Sequence, residues 1–144
     1  MLRKVALALL PFLFGCAATS VKEMKSDPAN AVHTTIEQNY QRVYKNLLGR
    51  MQECMSEGPV GMFAQYHVRH VLLPELREAT ISYAMSNMGT QNYYLHVDIS
   101  GVSENQTKLD TYIFFSTWRH VLPKIQAWAT NPDAPCDVQA PPPT

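Results

Sequence analysis

Through the middle of this chain, apolar and polar side chains alternate with a period of two. Ala79, Ile81, Tyr83 and Met85 share one face of a segment spanning 77–85, against Glu78, Thr80 and Ser82 on the other. Residues 93–100 repeat the pattern, with Tyr93, Leu95, Val97 and Ile99 inward and Tyr94, His96, Asp98 and Ser100 outward. Leu109, Thr111, Ile113 and Phe115 line one face of 107–115. A fourth segment, 62–73, is rich in aromatic and β-branched residues and is stopped by Pro74. Residues 87–90 and 101–105 carry the Asn and Gly chemistry of turns. Alternation of this kind predicts antiparallel strands with one covered face.

Helical periodicity flanks the strands. Ile36, Tyr40, Val43, Leu47, Met51 and Cys54 recur at three- and four-residue steps, Thr34 and Glu37 have the spacing of a capping box, and Gly58-Pro59 ends the run. Trp118, Val121, Leu122, Ile125 and Trp128 form a second stripe, interrupted by Pro123, so a short turn at 117–121 should lead into a helix over 122–130. The expectation is therefore an α+β fold: a two-layer, four-stranded antiparallel sheet covered on one face by two helices, in the order α-β4-α.

The amino end follows another logic. Arg3 and Lys4 precede the apolar run Val5–Phe14, then come Gly15, Cys16 and the small residues Ala17-Ala18-Thr19. About ten apolar residues, broken by Pro11, fall well short of the ~20 that cross a bilayer, and they match a cleaved secretory signal. The ending Leu13-Phe14-Gly15-Cys16 resembles the lipobox of bacterial lipoproteins. That resemblance covers residues 1–16 only. It implies cleavage after residue 15, a diacylglyceryl group on the Cys16 sulfur, and, with Ala17 rather than Asp next, the periplasmic face of the outer membrane. A plain secretory signal with Cys16 as an ordinary thiol is the alternative. The chain then divides into a signal peptide (1–15), a lipidated amino end and flexible tether (16–31), a globular domain (32–137) and a Pro-rich tail (138–144). The α-β4-α layout is itself similar to the helix-grip class, which occurs among small domains of envelope lipoproteins.

Cysteine use follows from the lipobox. With Cys16 taken by lipid, Cys54 and Cys136 remain as a pair in an oxidising compartment, two free buried thiols being the other reading. Neither has a second Cys or His at metal-ligand spacing. Twelve basic and twelve acidic residues balance, and Arg3 and Lys4 leave with the signal. No basic footprint for nucleic acid results, and membrane contact is expected through the lipid alone.

Candidate chemistry is sparse. His67 and His70, three apart on a strand, point to opposite faces. His96 stands with Tyr94 and Asp98 on an outward face, read as solvated, and no nucleophile sits in a recognisable elbow. Tyr112 and Phe114 oppose the inward set of their strand. Tyr94, His96, Asp98, Tyr112 and Phe114 are thus the candidates for surface or groove contacts. The function expected is a non-catalytic, membrane-anchored interaction or envelope-assembly module with an envelope protein as partner and no cofactor beyond the lipid on Cys16. Its alternative is a carrier or sensor of a small apolar ligand held between sheet and helices.

Overall fold

The computed structural model describes residues 20–55 and 57–137; the expected signal segment, Cys16 and the tail from 138 lie outside them. The fold is α+β. Helices α1 (Val21–Ser26), α2 (Tyr40–Cys54) and α3 (Leu122–Thr130) accompany strands β1 (Ala31–Ile36), β2 (Gly58–Val60), β3 (Ala64–Leu73), β4 (Glu78–Asn87), β5 (Thr90–Ser103) and β6 (Gln106–Ile113). All six strands form one antiparallel sheet in the order β1-β6-β5-β4-β3-β2. The four expected strands are present, and two shorter edge strands extend them to six.

The added strand β1 corrects the expected start of the first long helix. Residues 31–36 pair with Thr107–Tyr112 along β6. Val32-His33-Thr34-Thr35-Ile36 is mostly β-branched, and six residues of ladder on an open edge outweigh one more helical turn. Thr34 and Glu37 therefore form no capping box. Asn39 caps α2 instead, its side chain accepting from the Gln41 amide at 2.9 Å.

One face of the sheet is covered by α2 and α3. Tyr40, Val43, Leu47 and Met51 of α2, with Ile125 and Trp128 of α3, pack on Ile81, Leu95, Val97, Ile99, Leu109 and Ile113. Each such side chain contributes roughly 1.5–3 kcal/mol on burial. Pro123 sits in the first turn of α3, where its missing N–H costs no hydrogen bond, and a 3-10 turn over Ser116–Val121 precedes it. Cys54 and Cys136 are disulfide-bonded, with Cα atoms 5.2 Å apart, so the end of α2 is tied to the segment after α3.

The opposite face, here the outer face, carries α1. Residues 17–31 were expected as a tether, yet from Ser20 onward the chain is folded onto the sheet. Ser20 and Glu23 make a reciprocal capping box, Met24 is fully buried, and Lys25 forms an ion pair with Asp98 at 2.6 Å. Asp27 then caps a 3-10 turn at Pro28–Asn30 that leads into β1.

A bulge between β4 and β5 changes which side chains meet. The hairpin turns through Met88 and Gly89, both at positive φ, and pairs Asn87 with Thr90 and Ala84 with Tyr93. Beyond that point Tyr83 pairs with Leu95, so Tyr94 is the extra residue and the register moves by one. Ser82 thereby comes opposite His96 rather than Leu95.

Candidate functional site

The shifted register builds a hydrogen-bonded chain across the outer face. Ser82 and His96 lie on neighbouring strands with Ser82 Oγ 2.7 Å from His96 Nδ1. Asp98, two residues on and hence on the same face, places Oδ1 2.9 Å from His96 Nε2. Its second oxygen meets Lys25 Nζ from α1 at 2.6 Å. Because the carboxylate only accepts, His96 Nε2 donates to it, and in the neutral form of the imidazole Nδ1 accepts from the serine hydroxyl. Ser82 and His96 are only 7% and 5% exposed. The outward face read as solvated in the sequence is, at this point, roofed by α1.

Burial raises the Asp98 carboxyl, but hydrogen bonds from His96 and Lys25 outweigh it, and the net position is below the ordinary carboxylate value. Tyr112 stands beside the relay, its ring 6.2 Å from His96 and 5.5 Å beneath Lys25 Nζ. Burial, then the Asp98 and Asp110 charges, raise its phenol. Asp110 anchors a neighbouring polar group, binding Lys108 Nζ at 2.7 Å and His33 Nδ1 at 2.6 Å.

Hydroxyl, imidazole and carboxylate stand in the order of a nucleophilic triad, so the missing parts decide what the relay can do. Ser82 lies in mid-strand between Arg69 of β3 and His96 of β5, and the backbone amides around it are spent in the ladders. The geometry suits a latch: Lys25, Asp98, His96 and Ser82 fasten α1 to the sheet.

Of the contact candidates, His96, Asp98 and Tyr112 do converge. Tyr94 does not join them. As the bulged residue it turns to the helix side, where its ring lies 5.1 Å from Trp118 and 5.8 Å from Tyr66, while Tyr93 takes the outer face beside Ser82 and His96. Phe114 sits past the relay at the end of β6 and packs edge-on against Phe115 at 4.8 Å. His67 and His70 do point apart: His70 meets Tyr44 of α2 at 2.7 Å, and His67 faces Ser86 at 3.5 Å. Among the described residues no group of three His, Cys, Asp or Glu side chains is placed to hold a metal ion. Sequence reasoning missed Ser82, Lys25 and Met24. The Ser20-x-x-Glu23 spacing was the available sign of a helix start there.

On the helix side, Tyr66 and Tyr83 stack at 5.5 Å and Trp118 covers Tyr83 at 5.5 Å. Burial, then the neighbouring phenols, push the Tyr83 pKa up to about 12. Beside them a groove of about 220 Å³ is lined by residues including Met55, Tyr83, Trp118, Lys124 and Trp128. It borders the disulfide, over which Arg50 reaches to both sulfurs, at 3.0 Å and 3.3 Å, while pairing with Glu53.

No family model matches this chain, and no characterised protein matches it in sequence.

Proposed function

We propose that this chain is an exported lipoprotein, anchored through Cys16 on the periplasmic face of the outer membrane, which acts without catalysis by contact with an envelope protein. The observation that carries the reading is the Cys54–Cys136 bond. A disulfide is characteristic of an oxidising compartment, and its formation leaves Cys16, at the end of the lipobox-like segment, as the remaining thiol. The packing of α2 and α3 on one face of the antiparallel sheet is in keeping with the helix-grip layout of small envelope domains. The relay joins α1 to the sheet, a structural use of Ser82, His96 and Asp98 that is in keeping with a contact module.

An apolar surface suited to contact lies at the hairpin tips. Met62, Phe63 and Met88 are 88%, 65% and 81% exposed, and the Met88 amide donates to the Phe63 carbonyl at 3.4 Å, which keeps the two tips together. The second reading, a carrier of a small apolar ligand, draws on the Trp118 and Trp128 groove. Its volume of about 220 Å³ is below the ~300–1,000 Å³ of most ligand pockets.

Cys16→Ala should abolish metabolic palmitate labelling and release the protein from the membrane fraction; undiminished labelling would refute the anchor. Crosslinking in whole cells from Phe63 should trap an envelope protein. Native mass spectrometry showing a stoichiometric co-purified lipid would favour the carrier instead.

A further inference from the structure

The docked helix α1 shortens the leash on which a lipid anchor would act. Ser20 already belongs to the capping box, so only residues 17–19 separate it from Cys16. Four residue steps span at most about 14 Å when fully extended. Such a leash cannot let the domain roam. The place where the described chain begins then dictates which surface lies against the bilayer.

That place is over β3, on the outer face. Val21 lines a shallow depression with Arg69, Val71, Thr80, Ser82, Tyr93 and His96. From Lys25 beside Asp98 back to Val21, the helix crosses the strands toward β3, and β3 is nearly the sheet edge. Its short neighbour β2 pairs only with Ala64–Tyr66. Along the outer face of β3, Val71 and Leu73 are 51% and 41% exposed; the exposed cation Arg69 stands two residues before Val71, and Glu78 pairs with Leu73 at the far end. Two exposed apolar side chains with a cation at one end suit the boundary between acyl chains and headgroups. α2, with Lys45 exposed, lies on the opposite layer.

We infer that the outer-face edge of β3, centred on Val71 and Leu73, is a membrane-facing surface that a short lipid leash holds against the phospholipid bilayer. This rests on the lipid anchor proposed above. The surface alone is too small to bind a membrane firmly; the leash supplies the effective concentration.

The experiment uses the full lipidated chain reconstituted in phosphatidylethanolamine–phosphatidylglycerol vesicles, with acylation of Cys16 checked by intact mass. A missing acyl group refutes the anchor itself, and this inference with it. A polarity-sensitive fluorophore is attached at Val71→Cys, at Leu73→Cys, and at Lys45→Cys on α2, the native pair being oxidised and Cys16 acylated. With the acyl group present, spin-labelled lipid should quench the two β3 labels several-fold more than the Lys45 label. Inserting a long Gly/Ser segment after Ala18 should erase the difference. Equal quenching at all three sites would overturn the inference while leaving the anchor intact. So would photocrosslinking from Leu73 in cells that captures a protein, a second copy included, in place of phospholipid.

Discussion

Breaking the Cys54–Cys136 bond should be the most damaging single chemical change to this domain. The bond joins residues 82 apart, from the last turn of α2 to the segment beyond α3. Treating that separation as the closed loop, the chain-entropy relation gives about 4.5 kcal/mol of stabilisation through restriction of the unfolded chain. Measured losses generally fall below this figure, and the native end of the chain keeps its place after reduction. Ala134 is buried and the Trp128 indole N–H donates to the Pro135 carbonyl at 3.0 Å, so residues just before Cys136 stay pinned without the sulfur bridge. A loss of about 2–4.5 kcal/mol is therefore expected, out of the ~5–15 kcal/mol typical of a domain. Urea unfolding of the oxidised protein, of the reduced protein and of a Cys54→Ser/Cys136→Ser variant measures it, and the melting temperature should fall by on the order of ten degrees. The reduced protein and the double variant should agree. A loss under about 1 kcal/mol in both would refute the reasoning, because the bond would then restrict little in the unfolded chain.

Three further outcomes follow from the two faces of the sheet. Met24→Asp should undock α1, since a charge replaces a fully buried side chain; hydrogen exchange over Val21–Ser26 should rise sharply while the core amides of β4 and β5 keep their protection. Global unfolding would show instead that α1 belongs to the main cooperative unit. The Asp98 carboxyl is depressed in the folded state, so its stabilisation is present above its ordinary value of 3.8 and is lost as pH falls through the lower folded value. Exchange at α1 should accelerate in that acid window, and Asp98→Asn should remove the pH dependence. At the alkaline end, Tyr83 is raised from 10.0 to about 12, so the stability it lends is intact below pH 10 and drains away toward pH 12. The tyrosinate absorbance that Tyr83→Phe removes should lie on the late limb of the titration, toward pH 12; loss of a phenol that titrates near 10 would contradict its placement.

How far the sequence revealed this molecule depended on whether a feature was local. Ala79, Ile81 and Tyr83 face the core as their alternation says, because no irregularity interrupts β4 there. One inserted residue defeats the same logic in β5. The bulge sends Tyr94 inward and Tyr93 outward, and the alternation of side chains carries no mark of it. The relay depends on that slip, so pairing of Ser82 with His96 was illegible even though His96, Asp98 and Tyr112 could be placed on one face. The strand β1 was hidden because Ile36 lies four residues before Tyr40 and so extends a helical stripe by coincidence. Six residues of α1 with a single buried side chain, Met24, leave too weak a periodic signal to outweigh the Asp27-Pro28 step that reads as linker. The sulfur pairing, by contrast, needed only a count of cysteines and the resemblance of the Cys16 segment to a lipobox.

Intact-mass and N-terminal analysis of the protein extracted from the membranes of expressing cells tests the central claim most directly. The mature chain is expected to begin at Cys16, carry acyl groups on that residue, and retain the Cys54–Cys136 bond. A precursor recovered from the cytosol with Met1 still present and Cys16 unmodified would contradict it.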